Sequence, residues 1–163
     1  MGAAKQKRML DVGARAPEFQ LKDLDGHARS LRELLPSGPL LLAFFKITCP
    51  VCQYTFPFLE RIHREAANSS VAIYGISQDD DESTREFNRE FDISFPTLLD
   101  DEGYPASNAY GISYVPSAFL VERDGSISWT MEGFDRKALE SLAAKAGVRV
   151  FRPGERVPDF RPG

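Results

Sequence analysis

The stretch that decides the fold is Phe44-Phe45-Lys46-Ile47-Thr48-Cys49-Pro50-Val51-Cys52-Gln53, and it holds the only two cysteines of the sequence. The apolar run of residues 40–45 leads into it and has the length and character of a strand buried on both faces. Behind it, Pro50 suits the first position of a helix. Large or small apolar side chains then recur every four residues, at Tyr54, Phe58, Ile62 and Ala66. The sequence therefore predicts a buried strand that runs directly into a helix.

This order puts Cys49 at the N-terminus of the predicted helix. Unpaired backbone N–H groups and the positive end of the helix dipole favour a thiolate there, so we expect Cys49 to be the nucleophile. Cys52 follows almost one turn later on the same face, where it can resolve a mixed disulfide formed at Cys49. A disulfide that closes so small a loop removes little entropy from the unfolded chain, which makes a structural role a poor explanation.

Three local features resemble the thioredoxin superfamily, in particular its TlpA/ResA-like, redoxin-type thiol-disulfide oxidoreductases. The first is the strand followed by Cys49-Pro50-Val51-Cys52. The second is Pro57, at the position where these proteins have a proline that kinks the active-site helix. The third is Tyr114-Val115-Pro116-Ser117, which resembles the cis-proline loop that leads into a strand. The likeness covers most of residues 12–146.

The resemblance implies an α/β protein with a thioredoxin-like fold, in which helices flank a central mixed β-sheet that carries an N-terminal β-hairpin and a central insertion. It also implies that Pro116 packs in the cis form beside the active-site sulfurs, and that Val115 offers backbone groups to an extended substrate. Lys46, three residues before Cys49, is a candidate for favouring the thiolate electrostatically.

The sequence also departs from the pattern of these relatives. Thioredoxin has a buried Asp six residues before its first cysteine, where this chain has Ala43. ResA-like proteins have a Glu three residues after the second cysteine, where this chain has Thr55. The usual proton-transfer partner is therefore missing, and the intervening dipeptide Pro50-Val51 does not select a reduction potential within the family range of about −270 to −120 mV.

Turn and helix signals divide the rest of the chain. We expect a flexible N-terminus (residues 1–11), a thioredoxin-like domain (residues 12–147) and a Pro/Gly-rich C-terminal tail (residues 148–163). The elements predicted within the domain are a hairpin around Asp25-Gly26, a buried strand at 71–76, a helix whose charged first turn is Asp79-Asp80-Asp81-Glu82, a short strand within 93–99, a hairpin around Asp124-Gly125, and a last helix capped by Asp135 and ended by Gly147.

The tail contains a short internal repeat. Residues 153–160, PGERVPDF, closely match residues 12–19, VGARAPEF. Eight residues are too few for a second structural unit. One explanation is a chance match in a Pro/Gly-rich segment; the other is that the tail docks where the N-terminal segment docks, on its own chain or on a neighbour.

Composition sets limits on the partners and the location. With 42% hydrophobic and 27% charged residues, the chain is long enough to bury one core as a globular domain. Its formal charge of −4 gives no electrostatic reason to expect nucleic acid or a membrane as partner. The basic start is not followed by the apolar stretch of a signal peptide. We expect a cytoplasmic protein as the sequence is written, and a periplasmic or membrane-anchored one if an export signal was removed.

These observations predict a thiol-disulfide oxidoreductase that exchanges disulfides with protein substrates through Cys49 and Cys52, needs no cofactor or metal, and is restored by an electron donor that the sequence does not identify. The oligomeric state is left open. A thiol peroxidase of the peroxiredoxin type is an alternative, although that family has Pro and Thr or Ser where this chain has Leu42 and Lys46. A metal-binding thioredoxin-like module is less favoured, because no His, Met or further Cys lies suitably near the pair in sequence.

Overall fold

The computed structural model describes residues 8–66 and 70–163, and within them the chain alternates strands with helices. In chain order these elements are β1 (Gln20–Asp23), β2 (Ala28–Ser30), α1 (Leu31–Leu34), β3 (Leu40–Phe45), α2 (Pro50–Glu65), β4 (Ala72–Ser77), α3 (Asp81–Glu90), β5 (Thr97–Leu99), α4 (Pro105–Ala109), β6 (Ser117–Val121), β7 (Ile127–Glu132), β8 (Phe134–Asp135), α5 (Arg136–Lys145) and β9 (Phe160–Arg161). A 3-10 turn, Leu35–Ser37, follows α1.

Seven strands form one mixed sheet in the order β2-β1-β5-β4-β3-β6-β7. At its centre, β3 pairs in parallel with β4 and antiparallel with β6. Alternate side chains of β3 enter two cores: Leu41, Ala43 and Phe45 pack with α2 and α5, whereas Leu40, Leu42 and Phe44 pack with α4 and the N-terminal segment. Both faces of β3 are covered, which explains its unbroken apolar sequence.

The predicted mixed sheet, N-terminal hairpin and strand-to-helix order are confirmed. The strand expected within residues 93–99 is shorter, and only Thr97–Leu99 is extended in the sheet. The preceding residues bind a buried carboxylate instead: the backbone N–H groups of Ser94 and Phe95 donate to Glu60 of α2, at 2.8 and 3.3 Å. Their hydrogen bonds are therefore satisfied outside the sheet.

The tail does not dock where the N-terminal segment docks, so this prediction is wrong within the chain. Arg15 bridges to Ser126 beside β7, whereas Phe160 pairs with Asp135 in the β8–β9 ladder. Phe19, the counterpart of Phe160 in the repeat, is buried in the core, while Phe160 is exposed. The shared Gly and Pro positions impose similar local turns, but the flanking residues determine where each segment packs.

Two predictions fall partly on residues outside the described ranges. The N-terminus expected to be flexible is residues 1–11, of which residues 1–7 lie outside the described ranges. Within the described part, the backbone N–H of Leu10 donates to the carbonyl of Tyr110 at 3.1 Å. The sequence Asn68-Ser69-Ser70 predicts that the active-site helix fades there; the helix ends at Glu65, and residues 67–69 lie outside the described ranges. Among the described residues, none of the helices has the length and apolar character needed to cross a membrane.

Candidate active site

Cys49 immediately precedes α2, which begins at Pro50. Its backbone N–H donates to the carbonyl of Lys46 at 3.3 Å, which folds residues 46–49 into a tight turn after β3. Its Sγ accepts the backbone N–H of Cys52 at 3.2 Å, so the side chain is the N-cap of the helix. The sulfur is half-buried, so it is held at the start of the helix and stays open to an incoming disulfide.

Cys52 is a different kind of thiol. It is fully buried, and this burial raises the pKa of its thiol well above the ordinary value. The neighbouring sulfur of Cys49 raises the pKa further, and the charge of Asp79 adds to this effect. The pair therefore consists of one accessible sulfur at the helix end and one sealed sulfur that holds its proton.

The loop before β6 reaches across to the accessible sulfur. The Val115–Pro116 peptide bond is cis, which confirms the predicted conformation. The carbonyl oxygen of Val115 accepts from the Cys49 thiol at 3.4 Å. Two hydrogen bonds fix this loop, one from Ser117 Oγ to the carbonyl of Tyr114 at 2.7 Å and one from the N–H of Gly133 to the carbonyl of Pro116 at 2.8 Å. That Val115 and Pro116 bind substrate stays a prediction.

Asp79 and Gln53 hold the active-site turn, and sequence reasoning missed both. Oδ2 of Asp79 accepts the backbone N–H of Ile47 at 2.8 Å, and the side-chain amide of Gln53 donates to the carbonyl of Ile47 at 2.9 Å. Asp79 had been grouped with the first turn of α3, but Asp80 is the residue that caps this helix. The topology contained the signal, because β3 and β4 are parallel and their carboxyl ends meet at one edge.

The residues that replace the usual proton-transfer partners have structural roles here. Ala43 is buried in β3, and the hydroxyl of Thr55 donates to the carbonyl of Val51 at 2.7 Å within α2. Lys46 is exposed and lines a cleft of about 360 Å³ beside Cys49, together with Gln78. Its role in stabilising a thiolate stays a prediction.

The tail also reaches this site, and no pattern in the sequence indicates it. Gly163 lies so close to Val115 that a Cβ atom at this position would overlap the Val115 carbonyl oxygen. A second groove, of about 850 Å³, lies on the other side of the cis-proline loop. The tail and the loop contribute the exposed aromatic rings of Phe160 and Tyr114 to its walls.

The described residues do not form the site that a peroxiredoxin would need, and the cysteines are not part of the side-chain group that could hold a metal ion. Leu42 is buried within β3, and Lys46 is exposed at its end, so neither supplies the Pro and Thr or Ser of a peroxiredoxin site. Over residues 8–66 and 70–163, the group of three side chains close enough to share a metal ion is Asp23, Asp25 and His27 in the β1–β2 turn, and it contains no cysteine.

Comparison with known proteins agrees with this geometry. The sequence pattern of the AhpC/TSA family matches residues 12–130. The thiol-disulfide oxidoreductase ResA of Halalkalibacterium halodurans is 33% identical over 122 residues, which cover 74% of this chain and 68% of ResA. ResA of Bacillus cereus is 25% identical over 137 residues, which cover 83% and 78%. Among solved structures, a putative protein disulfide isomerase from Bacteroides thetaiotaomicron has a TM-score of 0.75 at 24% identity and covers 85% of this chain and 89% of its own, a likeness that confirms the thioredoxin-like fold.

Proposed function

The chain belongs to the AhpC/TSA family, and from its ResA relatives and the geometry of its cysteine pair we propose that it exchanges disulfide bonds with protein substrates through Cys49 and Cys52. It is an enzyme of the thiol-disulfide oxidoreductase class, the class after which its ResA relatives are named. The observation that carries the assignment of roles is the unequal cysteine pair: Sγ of Cys49 is accessible at the helix N-terminus, while Cys52 is sealed behind it.

The reaction consists of two exchanges. The Cys49 thiolate attacks one sulfur of a substrate disulfide; a Cys49–substrate disulfide forms, and the other substrate sulfur leaves as a thiolate. Cys52 then loses its proton and attacks Sγ of Cys49, which releases the second substrate thiolate and leaves a Cys49–Cys52 disulfide. An external dithiol restores the reduced pair and becomes a disulfide itself. The reverse direction uses the same atoms.

The order of these steps follows from the electrostatics of the pair. While Cys49 is a free sulfur, it helps to raise the pKa of Cys52, and the inner thiol stays protonated. Once the Cys49 sulfur is in a mixed disulfide it carries no negative charge, so this opposition to ionising Cys52 is removed. Formation of the intermediate therefore prepares the second nucleophile.

Val115 is proposed to align the substrate. Its carbonyl oxygen lies 3.4 Å from Sγ of Cys49, so a polypeptide that pairs with this backbone presents its cysteine directly to the nucleophile. Pairing through backbone groups binds an extended segment with little regard to its side chains. Proteins are therefore the proposed substrates.

The test is the equilibrium reduction potential of the pair, measured by alkylation and mass shift across a series of thiol redox buffers. A potential near or below about −250 mV indicates a reductant of protein disulfides, and one above about −200 mV indicates an oxidant or isomerase. Absence of a reversible two-electron transition at Cys49 and Cys52 would refute the proposal. Hydrogen peroxide consumption far faster than that of a free thiol would favour the peroxidase alternative instead.

The cellular location remains a proposal beside the enzymatic one. The predicted cytoplasmic location and its periplasmic or membrane-anchored alternative are distinguished by fractionating cells that express the native gene. The redox state of Cys49 in each fraction, trapped by acid and alkylation, then indicates the direction in which the enzyme works there.

A further inference from the structure

The last residues of the tail lie on the backbone to which a substrate is proposed to bind. We call residues 160–163 the tail tip. Arg161 pairs with Phe134 and Phe160 with Asp135, which leads the tip along β8 towards the cis-proline loop. Gly163 then packs directly on the carbonyl oxygen of Val115, the same atom that the Cys49 thiol contacts.

Both contacts bring backbone against backbone. A Cβ atom at Gly163 would overlap the carbonyl oxygen of Val115, and one at Gly133 would overlap that of Arg161. Side chains are thus excluded on both sides, and the tip has the extended form that a bound polypeptide needs. The tail tip therefore occupies the surface in the manner of a bound peptide.

The tail is held firmly before the tip and weakly at the tip. Val150 is buried, Phe151 meets Phe58 edge-to-face with ring centroids 5.2 Å apart, and Glu155 forms two hydrogen bonds with Arg61 at 2.7 and 2.8 Å. The tip itself is exposed throughout. It is held by the two residue pairs of the β8–β9 ladder and by the guanidinium of Arg161, which lies 5.1 Å from the ring centroid of Tyr54.

Few buried contacts and a short, solvent-exposed ladder are the features of a segment that opens locally at low cost. The tip can therefore lift from Val115 while the preceding residues stay in place. Pro158 lies between the two parts.

We propose that the tail tip is a built-in competitor for the substrate: it covers Val115 in the resting enzyme, and an extended polypeptide must displace it to bring a cysteine to Cys49. This inference rests on the proposed function, because it assumes that substrate pairs with Val115. Small thiol reagents need no such pairing and reach Cys49 without moving the tip.

The partner that this surface fits is an extended segment with an apolar side chain next to its cysteine. Tyr114, the residue before Val115, is 60% exposed and lines a groove of about 850 Å³ that Phe160 of the tail tip also lines. When the tip lifts, Phe160 leaves with it, and the ring of Tyr114 offers the apolar surface that a bound peptide side chain buries.

The test compares two probes on the full chain carrying Cys52→Ser, so that the product stays on Cys49. One probe is a small pyridyl disulfide, and the other is a peptide of about ten residues whose central cysteine carries the same pyridylthio group. In each case the Cys49 thiolate forms a disulfide with the probe, and pyridine-2-thione leaves and is measured by its absorbance. Peptide rate divided by small-probe rate reports access to Val115 separately from the reactivity of the sulfur.

Two variants release the tip from opposite sides. Gly163→Val introduces a side chain that collides with Val115, and Arg161→Ala removes the contact with Tyr54. We expect both to raise the rate ratio severalfold, while Arg156→Ala, an exposed position of the same tail, leaves it unchanged. Ratios that stay the same or fall in both release variants overturn the proposal.

The design separates this inference from the proposed function. Both probes carry an activated leaving group, so their reaction needs only an accessible Cys49 thiolate and no turnover with a natural substrate. If the protein shows the expected ratios but lacks a reversible Cys49–Cys52 couple, the tail tip is a competitor and the oxidoreductase function is rejected. If it has the reversible couple but the ratios do not change, the oxidoreductase function stands and the competitor is rejected.

Discussion

The backbone N–H of Cys52 donates to Sγ of Cys49 at 3.2 Å, so the residue that holds the inner thiol also fixes the position of the outer one. The same helical turn buries the side chain of Cys52 completely. One short sequence thus gives the two cysteines unlike environments: Cys49 is half-buried at a helix N-terminus, and Cys52 lies in the apolar interior, which opposes a thiolate.

The two cysteines are expected to fail in different ways when substituted. Cys49→Ser removes the nucleophile and should lower turnover with a protein disulfide by at least about 1,000-fold, since a serine hydroxyl does not ionise near neutral pH. Cys52→Ser leaves the first exchange intact and should accumulate a Cys49–substrate disulfide, detected by mass spectrometry. Accumulation of the adduct in the Cys49 variant instead would reverse the assigned roles.

Stability of the reduced protein should decline in mildly alkaline solution because of Cys52. Burial raises the pKa of this thiol in the folded state, whereas the unfolded chain has the ordinary value of about 8.5. Below that value both states are protonated; above it only the unfolded chain loses the proton, which favours unfolding. We expect the free energy of unfolding to fall by about 1 kcal/mol more between pH 8 and 9.5 than in Cys52→Ala. Equal slopes in urea denaturation under reducing conditions would contradict this.

Much of the cysteine site was predictable because its determinants are local. Residues 40–45 are apolar at every position because β3 is covered on both faces, and Pro50 marks the helix start that puts Cys49 at an N-cap. The hairpin around Asp25-Gly26 is likewise encoded in adjacent residues. Such features need no knowledge of which distant segments meet.

Asp79 should act by positioning the active-site turn, and its two variants separate this role from its charge. Asp79→Ala removes the acceptor of the Ile47 N–H, which should cost about 1 kcal/mol of unfolding free energy and slow the reaction of Cys49 with disulfides. Asp79→Asn keeps an acceptor and should restore most of both properties.

The charge of Asp79 should affect the pH dependence of the release step. It contributes to the raised pKa of Cys52, so Asp79→Asn should lower that pKa and shift the pH profile of the release step to lower pH. The profile is obtained from the decay of a preformed Cys49–peptide disulfide with Cys52 present. A slower release at neutral pH in Asp79→Asn would mean that the carboxylate accepts the Cys52 proton, and would contradict a purely positioning role.

The contacts that sequence reasoning missed join segments far apart in the chain. Asp79 meets Ile47 only because β3 and β4 end at the same edge, and an acidic run before a helix is more simply explained as part of that helix. Gly163 meets Val115 because the edge-to-face contact of Phe58 with Phe151 holds the tail against α2. Neither contact leaves a periodic pattern, since each depends on tertiary packing.

The ion pair between Arg61 and Glu155, which helps to hold the tail, should depend on pH. The guanidinium of Arg61 holds the pKa of this carboxyl below its usual range through two hydrogen bonds at 2.7 and 2.8 Å. Because the folded-state pKa is lowered, the stabilisation is present above the unfolded pKa of about 4.3 and is lost as pH falls through the folded value. Near pH 7 we expect Glu155→Gln to cost about 1 kcal/mol in urea denaturation, and the difference from the unsubstituted protein should vanish towards pH 3.

Glu140→Gln is the matched control for this ion pair. Glu140 pairs with Arg136 at 3.3 Å, but both side chains are more exposed than those of Glu155 and Arg61, 52% and 42% against 24% each. Solvent screens such a pair, so its loss should cost less than about 0.5 kcal/mol at any pH. If the two substitutions cost the same, the Arg61–Glu155 pair would be an ordinary surface ion pair, and the apolar contacts of Val150 and Phe151 would hold the tail without it.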